Sequence, residues 1–154
     1  MENEQIKKNV QAEGGFRNAA EKLVGSKNYA CFERNPDSWE KKMEAFPKYV
    51  KRQNLTRFLA QYEIFKRILN VKGSIVECGV FRGGGLMAWA KLSAILEPVN
   101  LTRRVYGFDT FQGFPSISDK DTQGLGQHIK EGDLYSNSYD ELKALIQIWD
   151  SDRV

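Results

Sequence analysis

An α/β fold with a parallel sheet is the fold class that this sequence predicts, and three observations predict it. Gly73–Gly85 reads G-S-I-V-E-C-G-V-F-R-G-G-G: a short apolar run, an acid, and a glycine-rich turn. A helical pattern follows it. Arg104–Phe111, R-V-Y-G-F-D-T-F, is a second apolar run that ends on another acid, Asp109. This is the layout of a strand, a turn that holds a ligand against a helix N-terminus, and a second strand whose terminal carboxylate grips a ribose. The strand–helix–strand order implies a parallel pair joined by a right-handed crossover.

Residues 1–70 read as a helical segment that precedes this unit. Phe16, Ala19, Ala20, Leu23 and Val24 keep the spacing of one helix face. Asn28–Pro36 is expected to break that helix. Asp37, with Glu40 three residues on, reads as a capping box, and Trp39, Met43 and Phe46 as the apolar stripe behind it. After Pro47 comes the clearest helix: Leu55, Phe58, Leu59, Tyr62, Phe65, Ile68 and Leu69 line one side.

Residues 71–154 read as the first part of a second domain. Ser74–Cys78 is expected as a buried strand, Gly83–Leu96 as a helix stopped by Pro98, and Arg104–Asp109 as the second strand. Leu86, Met87 and Trp89 are expected on the sheet-facing side of that helix. Residues 110–137, rich in Gly, Ser, Asp and Asn, read as one long loop. Ser138 with Glu141 makes a second capping box, and Leu142, Leu145, Ile146 and Trp149 stripe the last helix. A two-stranded parallel sheet is rarely a finished domain. The expectation is that the chain is a piece of a longer protein, or that another chain completes the sheet.

Bulk properties narrow the function. The 154 residues favour one domain, and 41% apolar with 28% charged residues is ordinary for a globular chain. A formal charge of +3 is too small to argue for nucleic acid. Pairs such as Lys41–Lys42 and Arg103–Arg104 read as solvated surface. There is no secretory h-region and no run long enough for a membrane span. Cys31 and Cys78 form neither a disulfide framework nor a metal pair; Cys78 is expected as a packed, reduced thiol. These features point to the cytoplasm. His128, the sole histidine, rules out a His-rich metal site and is expected exposed in a polar loop, with proton transfer as its other reading.

The chemistry sits in Glu77–Gly85 and Asp109. Gly79 and Gly83 allow sharp turns or close approach of a ligand. Gly83–Gly84–Gly85 opens a helix, so free N–H groups and the helix dipole face the turn. Glu77 would repel a pyrophosphate but suits an ammonium group or hydroxyls. The spacing is E-x-G-x-x-x-G, not G-x-G-x-x-G. Asp109, 24 residues beyond Gly85, lies where nucleoside-binding folds keep a ribose-gripping acid. Two acids at these places favour S-adenosylmethionine over a nicotinamide dinucleotide. Glu77 otherwise reads as a strand-end acid paired with Arg82 or Lys72, and Asp109 as a turn residue.

V-E-C-G-V-F-R-G-G-G followed by Y-G-F-D-T-F-Q-G-F-P resembles the macrocin-O-methyltransferase (TylF-type) family of class I S-adenosylmethionine-dependent methyltransferases. The resemblance covers about Leu55–Pro115. It implies a Rossmann-like methyltransferase fold, truncated here after its first two strands. It assigns Glu77, Gly79, Val80, Gly83 and Gly84 to the methionine end of the cofactor, Asp109 to the ribose, and Thr110 and Phe111 to the pocket beside it. It implies O-methylation of a small-molecule hydroxyl, mostly on natural-product sugars, with a Mg2+ ion held by downstream aspartates outside this chain. Asp119, Asp121 and Asp133 match none of those ligands, and no catalytic residue is nominated. The chain alone is expected to be inactive. The competing readings are a dinucleotide-binding Rossmann fragment and a non-catalytic interaction module. Exposed sheet edges predict self-association.

Overall fold

The computed structural model describes residues 18–123 and 129–152. His128 and Phe16 lie outside the described residues. By Cα packing the chain divides into two compact units, one spanning Phe16–Ala60 and the other taking in Gln61–Val154. The division falls within a helix, ahead of the residue 70/71 boundary where the sequence changes character.

In the first unit, helix α1 spans Ala19–Arg34, α2 spans Trp39–Glu44, and a 3-10 turn covers Phe46–Lys48. The break expected from Asn28 is absent, and α1 runs on to Arg34. The Asn28 amide donates out of the helix to Tyr49 O at 3.1 Å. Tyr49 also takes the Phe32 ring edge-on at 4.9 Å and accepts from Asn35 at its hydroxyl. The cap of α2 is Ser38, one residue later than expected; its Oγ accepts from Lys41 N. The stripe expected to be buried behind that cap is exposed, with Trp39 71% and Met43 59% accessible.

Helix α3 spans Arg52–Ile68, and its last two turns belong to the second unit. There Phe65 is completely buried, its ring 6.3 Å from that of Trp89. Strand β1 (Ile75–Cys78), helix α4 (Gly84–Leu96), strand β2 (Val105–Phe108) and helix α5 (Tyr139–Asp152) follow. As expected, β1 and β2 are parallel, in the register Ile75↔Val105 through Cys78↔Phe108.

The sheet is packed on one face. Val80, Leu86 and Leu142 form the core cluster, with Met87, Val105, Phe111 and Ile146 against it. The other face, Val76, Cys78, Tyr106 and Phe108, is exposed. Cys78 is therefore not the packed thiol its strand suggested: side chains alternate along a strand, and Cys78 falls on the open face.

The buried polar centre of this unit is Arg103. The sequence placed it on the surface, but it is only 8% exposed. Its Nε donates to Glu97 Oε1, Nη1 to Gly73 O, and Nη2 to both Ile68 O and Val71 O. The last carbonyl of α3, two more just past its end and one carboxylate just past the end of α4 thus converge on a single guanidinium. Glu97 accepts further bonds from Ser93 and Asn100. Burial pushes the Glu97 carboxyl up, but the bonds from Arg103, Asn100 and Ser93 together outweigh it and hold it below the ordinary carboxylate value.

Removing one member of a buried ion pair strands the other. Arg103→Ala is expected to cost about 3–5 kcal/mol in urea unfolding. Because the folded-state value of Glu97 is depressed, its contribution is full above the ordinary carboxylate range and is lost as pH falls through the folded value. Urea midpoints of the wild type should therefore drop with acidification more steeply than those of Glu97→Gln. Equal slopes would show that the pair does not stabilise the fold.

Candidate functional site

A parallel pair brings the C-terminal ends of both strands to the same edge. Gly79 N donates to Phe108 O at 2.9 Å, so the glycine turn after β1 and Asp109 after β2 lie side by side. The Asp109 carboxylate is fixed by two backbone amides. Phe81 N donates to Oδ2 and Phe111 N to Oδ1, each at 2.7 Å. Each carboxylate oxygen keeps further acceptor capacity, and the residue is exposed. Phe81 and Phe111 have φ of 53° and 57°, a conformation bulky residues seldom adopt. Such strain costs about 1–3 kcal/mol per residue and is held only by the surrounding contacts.

The glycines of the turn differ in their duties. Gly83 caps α4 in the left-handed region, at φ 79°, and is packed beneath α5; a Cβ there would be driven into the Leu142 methyls. Gly85 has an ordinary backbone but lies over Glu77: a Cβ would stand 2.5 Å from Glu77 Oε1. The acid thus leans against the first turn of α4, with Oε2 shut off from solvent. Its charge lies near the positive end of the helix dipole. Gly84, the first residue of α4, faces open space. Gln61 reaches from α3 to donate to Gly85 O at 3.3 Å. Val80 is in the turn by its backbone only; its carbonyl accepts from Gly83 N, and its side chain is core.

Asp109, Thr110 and Phe111 line an open cleft of about 320 Å3 together with Gln112, Tyr135, Ser136, Asn137 and Tyr139. Glu77, Gly79, Val80, Gly83 and Gly84 do not line it. The sequence does not show the far wall, Tyr135, Ser136, Asn137 and Tyr139, which joins the tail of the 110–137 loop to the first residue of α5. That loop returns on itself: Gln112 bridges Tyr135 in antiparallel fashion, Phe114 N donates to Asp133 O, and Gly132 N to Phe114 O. Tyr139 sets its ring edge-on to Phe111 at 5.5 Å. Ser138 stands at the expected N-cap position of α5, its carbonyl accepting from Leu142 N, and its hydroxyl donates to Phe81 O at 2.8 Å.

Among the described residues no three His, Cys, Asp or Glu side chains come together as a metal site. Asp133 is buried and accepts from Lys130 N, while Asp121 is bonded to Ser118 N and Oγ, which hold its carboxyl below the ordinary value. No helix of the described residues is long and apolar enough to cross a membrane.

A family model described as Macrocin-O-methyltransferase (TylF) matches residues 50–139. Among solved structures, the chain is similar to the crystal structure of CalS11, calicheamicin methyltransferase, with a TM-score of 0.74 and 27% identity over 86% of this chain and 51% of that one. It is also similar to the apo structure of CalS11 as TDP-rhamnose 3'-O-methyltransferase, an enzyme in calicheamicin biosynthesis. There the TM-score is 0.58 and the identity 29%, over 62% of this chain and 42% of that one. The chain thus spans about half the length of the structures it matches. Among curated proteins none matches.

The three glycines at the head of α4 give a test of this geometry. Gly83→Ala should lower unfolding stability by about 1–3 kcal/mol through its backbone conformation and the clash with Leu142. Gly84→Ala, in open space, should raise it by about 0.4–1 kcal/mol. Chemical denaturation of the two variants checks the order; a reversal would mean that α5 does not pack on the turn as described.

Proposed function

Because the chain belongs to the macrocin-O-methyltransferase (TylF) family, we propose that it is the donor-binding part of an S-adenosylmethionine-dependent O-methyltransferase. The observation that carries this reading is the shared edge of the sheet. Glu77 and the glycine turn stand there beside an Asp109 carboxylate that is fixed at its base and open toward the cleft. In this reading Glu77, Gly79, Val80 (through its backbone), Gly83 and Gly84 surround the methionine end of the donor. Asp109 accepts hydrogen bonds from the ribose hydroxyls. Thr110 and Phe111 shape the cleft beside it.

The fit is chemical as well as positional. The donor carries an ammonium group, a carboxylate, a sulfonium and a vicinal diol. Helix-terminal N–H groups suit the carboxylate, and Glu77 suits the ammonium. When bound, the donor supplies an electrophilic methyl group. The S–CH3 bond breaks as the O–CH3 bond forms, and the acceptor hydroxyl gives up its proton to a base. This chain's residues hold and orient the donor for that transfer, a gain of placement rather than of acid–base chemistry. Neither the base nor a magnesium site is assigned to its residues.

For the acceptor we propose a hydroxyl of a sugar or sugar-bearing small molecule, by analogy with the TDP-rhamnose methyltransferase it resembles. Neither a nucleic acid nor a membrane is part of this reading. Two free, exposed cysteines suit a reducing compartment, and we place the protein in the cytoplasm.

Calorimetric titration with S-adenosylhomocysteine tests the donor site. The wild type should bind, and Asp109→Ala should weaken binding by about 10- to 150-fold, the value of roughly 1.5–3 kcal/mol for bonds to a charged acceptor. A folded chain whose affinity is untouched by the substitution would remove Asp109 from the site.

A further inference from the structure

The bonds around Asp109 close into a ring. From Oδ2 the path runs through the Phe81 amide to the Phe81 carbonyl, which accepts from Ser138 Oγ at 2.8 Å. Ser138 has one hydroxyl proton, and it is used there. At the 2.6 Å contact between Ser136 Oγ and Ser138 Oγ, the proton is therefore that of Ser136. Ser136 N then donates to Phe111 O at 3.3 Å, and Phe111 N returns to Asp109 Oδ1. Both serines are buried, at 6% and 8% exposure. The carbonyls they hold are those of Phe81 and Phe111, the residues with left-handed backbones.

We propose that Ser136 and Ser138 are positioning residues of the donor site. They orient the Asp109 carboxylate by holding, at the carbonyls of Phe81 and Phe111, the two left-handed residues whose amides grip it, Ser138 through its hydroxyl and Ser136 through its backbone amide; the inference rests on the donor reading given above. An exposed aspartate is ordinarily free to turn about its side-chain bonds. Here each oxygen is pinned by one amide, so the remaining acceptor capacity of both can be presented together to a vicinal diol. Ser136 lines the far wall of the cleft, and Ser138 follows two residues on, 27 and 29 positions after Asp109 in the chain. The hydroxyl of Ser138 crosses 57 positions to Phe81.

The test compares S-adenosylhomocysteine with its 2',3'-dideoxy analogue on the wild type, Ser138→Ala, Ser138→Thr and Asp109→Ala, with folding checked by circular dichroism. The wild type should prefer the ribose ligand by about tenfold or more. Ser138→Ala should lose most of that preference, weakening the ribose ligand while leaving the dideoxy ligand unchanged. Ser138→Thr, which keeps the hydroxyl, should restore it. A preference that survives in Ser138→Ala, or equal weakening of both ligands, overturns the inference and leaves the donor reading standing. If Ser138→Ala does not fold, Ser138→Cys, which keeps the volume but exchanges the hydroxyl for a weak thiol donor, carries the same comparison with the same outcomes. A wild type that binds neither ligand overturns the donor reading and this inference together.

Discussion

The second unit of this chain depends on the side chain of Arg103. Its guanidinium takes the carbonyls of Ile68, at the end of α3, and of Val71 and Gly73 just past it, with the carboxylate of Glu97 just past the end of α4. Removing the guanidinium would strand the Glu97 carboxylate, whose side chain is almost wholly buried. Arg103 also stands two residues before β2, beside the first rung of the sheet, where Ile75 N meets Arg104 O at 2.8 Å. One buried cation therefore fixes where both strands begin. Each strand is four residues long, so the register set there reaches the other edge within about 13 Å of strand. That edge carries Gly79 and Asp109. The staple and the candidate site are the two ends of one short lever.

How much was legible in the sequence follows from the range of each interaction. The strand, turn, helix and strand of residues 75–108 are written locally, in an apolar run, a glycine cluster and a second apolar run, and the structure has them within a residue or so. Gly83 as the head of the helix and Leu142 as a buried stripe residue were equally readable. Arg103 was not: as half of an Arg-Arg pair it looks solvated, and its partners lie up to 35 positions away. The cleft wall at Tyr135–Tyr139 was hidden for the same reason. It reaches Asp109 through a bridge between Gln112 and Tyr135 that is made of backbone and leaves no side-chain signature. Cys78 misled in the other direction. An apolar strand in a parallel sheet is ordinarily covered on both faces, whereas here the described residues cover one.

Gly85 shows how sequence and geometry combine at the site. Three consecutive glycines suggest flexibility in general, but their requirements differ. One is needed for its backbone conformation, one for the space that the Glu77 carboxylate occupies, and one lies in the open. The acid and the third glycine form a single unit: a strand-end carboxylate sits against a helix end only where no Cβ intervenes. This pairing, more than the count of glycines, separates the E-x-G-x-x-x-G-G-G arrangement from a dinucleotide turn.

The zipped base of the segment between Gln112 and Tyr135 has a consequence for how this fold diversifies. Where a loop's two ends are clamped to each other, its contour length is uncoupled from the walls it leaves and rejoins. Lengthening such a loop costs only about 0.6 kcal/mol per doubling. The stretch between the clamps is thus a natural insertion point. Its length can change at that cost while Thr110, Phe111 and Tyr139 keep their places around the cleft. A scaffold arranged in this way changes what is presented above its donor edge without rebuilding the edge itself.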